Sequence, residues 1–210
     1  MSGSSTIQFE YDESSKIFDR FDRQREAQPV YVWTGAFSAL SLAYANELIT
    51  NPVYVPHMRA LDQMEVYFAD FSTAENSDMG FKPYGSLPWH FKRWSDTSKV
   101  KLSDLIPGEG AGKEALLNDI IDNLCELTNP LWRGILTHIR FWTFSGNTKL
   151  HPHPYPFGSI NIAGPATLDA EGKEFPRNCT SLVPPNLMHK SPKLPEGGLR
   201  LNLIVYHPYI

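Results

Sequence analysis

An α+β domain is expected from this chain, with helices in its first part and strands in its last. Three observations predict it. Alanine- and leucine-rich segments with helical spacing of apolar residues lie before residue 130. The hydrophobic period changes from 3.6 to 2 after Asn129-Pro130. Residues 136–210 are strand-like runs cut by proline and glycine turns. Helices first and strands last suggests helices buttressing a compact β-sandwich or barrel. At 210 residues the chain is long enough for one domain with a full core. Its composition, 41% apolar and 20% charged, is globular rather than disordered.

Taken in order, residues 1–28 are polar and charge-rich and read as a tail or a short surface helix. Thr34–Ile49, rich in alanine and leucine, reads as a largely buried helix stopped by Asn51-Pro52. Met58–Phe71 places Leu61, Met64, Tyr67, Phe68 and Phe71 at helical spacing, although Val66-Tyr67-Phe68 also suits a strand. Asn76–Asp96, studded with glycine, proline and aromatics, reads as an ordered loop or short strands, and Phe81–Trp94 is a candidate roof for a pocket. Gly108–Gly112 lacks the strand and Gly-Lys-Ser/Thr ending of a phosphate loop, so it is a loop and helix start. The clearest helix is Gly112–Leu127, with Leu117, Ile120, Ile121, Leu124 and Leu127 on one face and Asn129-Pro130 closing it. Strands are expected in 135–144, 151–164, 166–175, 179–189 and 199–207. Residues 29–210 thus read as one domain after the 1–28 tail, with helical support and loops in 29–135 and a β core in 136–210.

Several partner classes are disfavoured by composition. A net charge of -4 supplies no basic field for nucleic acid or anionic lipid. No run of about 18 apolar residues exists to cross a membrane, and Met1–Lys16 has no secretory pattern, so a cytoplasmic location is expected. Cys125 and Cys179 read as isolated buried thiols.

Seven histidines occur, and His57, His90, His138 and His207 read as structural or surface residues. His151 and His153 differ. In extended chain, positions i and i+2 project to one side, and converging neutral imidazoles suit iron, copper, zinc or nickel. Pro152 and Pro154 cannot donate ladder hydrogen bonds, so this stretch belongs at an edge or barrel mouth rather than in a central strand. His189, after Pro184-Pro185, is the best third partner. Arg200 opens the last strand, where Arg200, Asn202, Ile204 and Tyr206 share one face and Leu201, Leu203 and Val205 the other. A guanidinium looking into a barrel suits a carboxylate held bidentately.

Histidines, a distal histidine and an arginine 11 positions later resemble the 2-oxoglutarate/Fe(II)-dependent oxygenase superfamily. His151-Pro152-His153 matches its first motif, Pro184–His189 its distal one, and Arg200-Leu201-Asn202 its last. The ending Arg200–Pro208 is similar to the tail of the aspartyl/asparaginyl β-hydroxylase branch. The resemblance covers roughly residues 139–210. It implies a double-stranded β-helix, a jelly-roll or cupin-like barrel. It also implies Fe(II) on His151, His153 and His189, and 2-oxoglutarate bound by Arg200 and Asn202. The reaction implied is oxidation of a C–H bond of a small molecule, amino acid or peptide side chain. Hydroxylation, desaturation, ring formation and halogenation all share that iron core.

The departure is His153, where most members carry an acid. The metal would be held by three histidines, or by two with water or another anion in the remaining position, or one of the 151/153 pair would stand back while an acid from Asp169, Glu171 or Glu174 completes the set. A cupin-type three-histidine dioxygenase or isomerase that needs no 2-oxoglutarate is the first rival, although the cupin glutamate after the second histidine is missing. A metal-free β-sandwich binding module is the second.

Overall fold

The computed structural model describes residues 7–63, 67–69, 90–93, 99–131, 137–142 and 149–206. It is a mixed α+β structure. The helices are α1 (Ala39–Thr50), α2 (Val55–Gln63), α3 (Leu102–Leu105) and α4 (Ala111–Leu131), with a 3-10 helix at Ser15–Arg20. The strands are β1 (Phe9–Asp12), β2 (Val30–Trp33), β3 (Tyr67–Ala69), β4 (His90–Arg93), β5 (Lys99–Lys101), β6 (Thr137–Trp142), β7 (Phe157–Ala163), β8 (Leu168–Asp169), β9 (Cys179–Val183), β10 (His189–Lys190) and β11 (Leu201–Tyr206). They form a large mixed sheet in the order β1-β2-β9-β7-β11-β6-β3-β4-β5, parallel at β1-β2, and a small sheet of β10 and β8. Bridges His151–His189 and Leu168–Glu174 extend the small sheet on both sides.

All of β7 and β9 is buried, because both faces of the large sheet are covered there. Toward the helices, Ile160, Ile162, Leu182, Leu201, Leu203 and Val205 pack with Ala45, Leu48, Leu116, Ile120, Leu124 and Leu127. Each such leucine, fully buried, contributes about 1.5–3 kcal/mol. On the other face Phe157, Cys179, Val183 and Ile204 join Val30, Val32, Ala166 and Phe175. The alternation expected along β11 is therefore realised, with Leu201, Leu203 and Val205 toward the helices and Ile204 away from them. Gly158 lets α4 lie this close, since a Cβ there would stand 2.5 Å from Leu127 Cδ1.

Buried hydrogen bonds fix the helix layer to the sheet. Asn123 Nδ2 donates to the Ala36 carbonyl at 2.8 Å, and Thr180 Oγ1 on β9 donates to Asn123 Oδ1. Ser38 caps α1, its Oγ accepting the Ser41 N–H, while its own N–H and hydroxyl bond Asp119 on α4. That cap makes α1 begin at Ala39 rather than at Thr34.

Two further expectations change. Residues 7–28 are not a polar tail: β1 pairs with β2, and Ile17 and Phe18 are buried under the 3-10 turn. Helix α4 runs one residue past Asn129-Pro130 to Leu131, so the proline stands at the very end of the helix, where no further turn has to follow it. Met58–Phe71 resolves into the end of α2 and strand β3. In the candidate roof only His90–Arg93 is described, as strand β4; Phe81–Trp89 and Trp94 lie outside the described residues, as does His207. Among the described residues, no helix is long and apolar enough to cross a membrane. Both cysteines are free and buried, as expected, and Cys179 begins β9.

Candidate metal centre

His151 and His189 face each other as a hydrogen-bonded pair, each N–H donating to the other's carbonyl at 2.9 and 3.0 Å. Pro184-Pro185 ends β9, and Asn186 follows with φ 60, a left-handed conformation that asparagine tolerates. From there its N–H donates to the His153 carbonyl at 2.6 Å and its side chain donates to Glu26 at 2.8 Å. The turn that delivers His189 therefore also holds the backbone of His153.

The three imidazoles converge. Their ligand atoms all lie within 4.8 Å of one another, and ring centroids are 4.6 to 5.1 Å apart. His151 Nδ1 donates to the Lys149 carbonyl at 2.8 Å and His189 Nδ1 donates to the Leu187 carbonyl at 2.9 Å. A carbonyl only accepts, so these bonds place the proton on Nδ1 and leave Nε2 as a free lone pair. This is the arrangement that orients metal-binding histidines. Burial, with the neighbouring His151 ring second, lowers the His153 pKa to about 4. Burial also lowers His189 to about 4, against the Leu187 hydrogen bond, with His153 and His151 acting further in the same direction as burial. Both rings are thus neutral at pH 7, as ligands must be. Phe157 packs against His189 at 4.8 Å and edge-on to His153 at 5.2 Å. The group could hold a metal ion, and a set of neutral nitrogen donors fits a transition metal rather than magnesium or calcium.

The acids weighed as alternative ligands do not join this group. Glu174 pairs with Arg177 at 2.6 Å on the surface, Glu171 is exposed, and Asp169 is buried but turns Oδ1 to the Lys173 N–H at 2.7 Å.

Arg200 is 1% exposed, and its Nη2 donates to Ser191 Oγ at 3.2 Å. Gly164 (φ +81) permits this strand entry, because a Cβ there would sit 3.0 Å from Arg200 Cα. Asn202 lies one i+2 step further along the strand, donating to Ser159 Oγ at 3.3 Å and to Asn161 Oδ1. Buried Asn161 Nδ2 and Asn202 Oδ1 have no hydrogen-bond partner among the described residues. Ser159 and Asn161 were not anticipated. The signal is present in β7 all the same, as polar residues at alternate positions of an otherwise apolar strand, on the face of Phe157. Of the other histidines, exposed His57 bonds the Leu105 carbonyl through Nε2 at 3.0 Å and, among the described residues, belongs to no group that could hold a metal ion.

No protein-family model matches this chain, and no curated protein is significantly similar to it.

Proposed function

We propose that this chain is a non-heme Fe(II), 2-oxoglutarate-dependent oxygenase that oxidises a C–H bond of a small molecule, an amino acid or a peptide side chain. The observation that carries the reading is the pairing of three converging imidazoles with a buried arginine on one partly polar interior. His189 and Ser191 are two residues apart, and Ser191 accepts from Arg200. Two extended residues span about 7 Å. That interval suits a five-carbon dicarboxylate held at one end by a metal and at the other by a guanidinium.

Strand order supports the barrel as well. From β6 to β11 the chain crosses between the large sheet and the small one at each connection, except at the hairpin from β8 to Glu174. Such alternation between two sheets is the connection pattern of a double-stranded β-helix, a jelly-roll form.

With Fe(II) bound, dioxygen would be the oxidant, taking two electrons from 2-oxoglutarate, which leaves as succinate and carbon dioxide, and two from the C–H bond of the substrate. The chain's own residues would do the rest. His151, His153 and His189 would hold the ion, with the Lys149 and Leu187 carbonyls fixing two of the rings. Arg200 and Ser191 would bind the distal carboxylate, and the Asn161-Asn202 pair offers one further donor and one acceptor. Phe157, Val183 and Ile204 would keep the interior dry.

Anaerobic addition of Fe(II) and then 2-oxoglutarate should give a weak visible charge-transfer band, and aerobic turnover should release succinate. A fully metallated sample giving neither would refute the reading. His153 standing where an acid is usual favours one alternative, a cupin-type three-histidine enzyme that ignores 2-oxoglutarate. Arg200→Ala separates the two, because it weakens 2-oxoglutarate binding in the first and leaves metal-dependent turnover intact in the second.

A further inference from the structure

Imidazoles ligate in their neutral form, so three of them bring no charge to a divalent ion. Positive charge concentrated in a dry interior is costly unless anions answer it. Among the described residues one acid, Asp169, is buried. Asp169 is the direct cross-strand partner of His189 in the β8–β10 pair, so both side chains leave the same face of the small sheet, with Cβ atoms about 5 Å apart. It is 1% exposed, and the one hydrogen bond of its side chain among the described residues is the Lys173 N–H on Oδ1. Glu171 and Glu174, on the same hairpin, are exposed.

We infer that Asp169 supplies, from the neighbouring strand and without coordinating, the negative charge that a coordinating acid supplies in a two-histidine, one-carboxylate centre. This rests on the metal-centre reading above. The donor atom and the charge, ordinarily carried by one residue, are here divided: His153 gives the nitrogen and Asp169 the counter-ion. Asp169 is then a positioning residue in the electrostatic sense, raising affinity for a divalent cation and lowering affinity for exogenous anions at that cation.

The plain role of Asp169 is to cap its own turn through Oδ1. Asparagine keeps that acceptor and removes the charge, so Asp169→Asn separates the roles. In the full chain, titration with Co(II), followed in the visible spectrum, should show binding weakened about 10-fold in Asp169→Asn. Azide should bind the cobalt form of the variant several-fold more tightly than the native cobalt form, a gain that loss of a turn cap would not produce. Asp169→Glu should restore both values. If Asp169→Asn does not fold, Asp169→Ser is read in the same way. Unchanged cobalt and azide affinities would reduce Asp169 to a turn cap and overturn the inference alone. A cobalt spectrum that changes coordination class in the variant would make Asp169 a ligand and also overturn it. Native protein that takes up no cobalt would overturn both this inference and the metal centre.

Discussion

Toward α1 and α4, strands β7, β9 and β11 present Ile160, Ile162, Leu182, Leu201, Leu203 and Val205; toward the small sheet, the same strands present Phe157, Val183 and Ile204, and also Ser159, Asn161, Asn202 and Arg200. Residues one position apart are equally buried and differ completely in chemistry. Burial by itself therefore says little about purpose here. On the helix side Asn123 and Thr180 satisfy each other and the hydroxyl of buried Ser41 on α1 stands alone, whereas the interior side sets two such atoms, Asn161 Nδ2 and Asn202 Oδ1, on paired strands without partners among the described residues. Unsatisfied buried polar atoms cost about 1–3 kcal/mol each, which a face built only for stability would avoid.

Four substitutions or conditions test that contrast, from the largest expected effect to the smallest. Leu124→Ala on the helix side should lower unfolding free energy by about 2–5 kcal/mol in urea denaturation, with cation uptake by the folded fraction unchanged. His189→Leu should do the reverse: stability should be kept within about 1.5 kcal/mol, and stoichiometric cobalt uptake should disappear in equilibrium dialysis. If both variants lost stability and metal together, the two faces would not be separable.

Acid gives the third test. His153 and His189 titrate near 4 in the folded chain against an ordinary 6.5. Between those values the unfolded chain binds protons that the folded chain does not, so stability should be flat above pH 6.5 and fall as pH drops toward 4. In metal-free protein the fall should be on the order of 2 kcal/mol, and smaller in His189→Leu; equal slopes in the two proteins would contradict the burial of these rings. The smallest effect is Asn161→Leu, expected within about 1 kcal/mol of native stability, because the gain from removing the unpartnered Nδ2 is offset by the loss of the acceptor for Asn202 Nδ2, which keeps Ser159 Oγ. Weaker 2-oxoglutarate binding in that variant would tie the polar interior to the cosubstrate.

Much of this was legible in residues close together in sequence. The face of β11, the long helix and the His151/His153 pair follow from local periodicity, and Pro152 and Pro154 correctly excluded a central strand. Arg200 could be aimed inward because the period of two leaves it no other face. What stayed hidden depends on distant partners. Nothing local marks Phe9–Asp12 as a strand, since its pairing with Val30–Trp33 is what makes it one. Asp169 could be named as a candidate ligand, but only its register opposite His189 shows it as a cross-strand neighbour instead. The helix end was placed within a residue or two, because Pro130 donates no hydrogen bond and little of the helix continues beyond it.

The His151–His189 bridge joins positions 38 residues apart, counting from 151 to 189. An ion shared across that bridge is a cross-link in the polymer sense. Closing a loop of that length costs the chain roughly 3 kcal/mol of entropy by the (3/2)RT ln n rule, and a bound ion exacts that closure in every conformation that retains it. A chelator would then remove a staple as well as a reactive centre, and thermal unfolding would record the metal even where no reaction is measured.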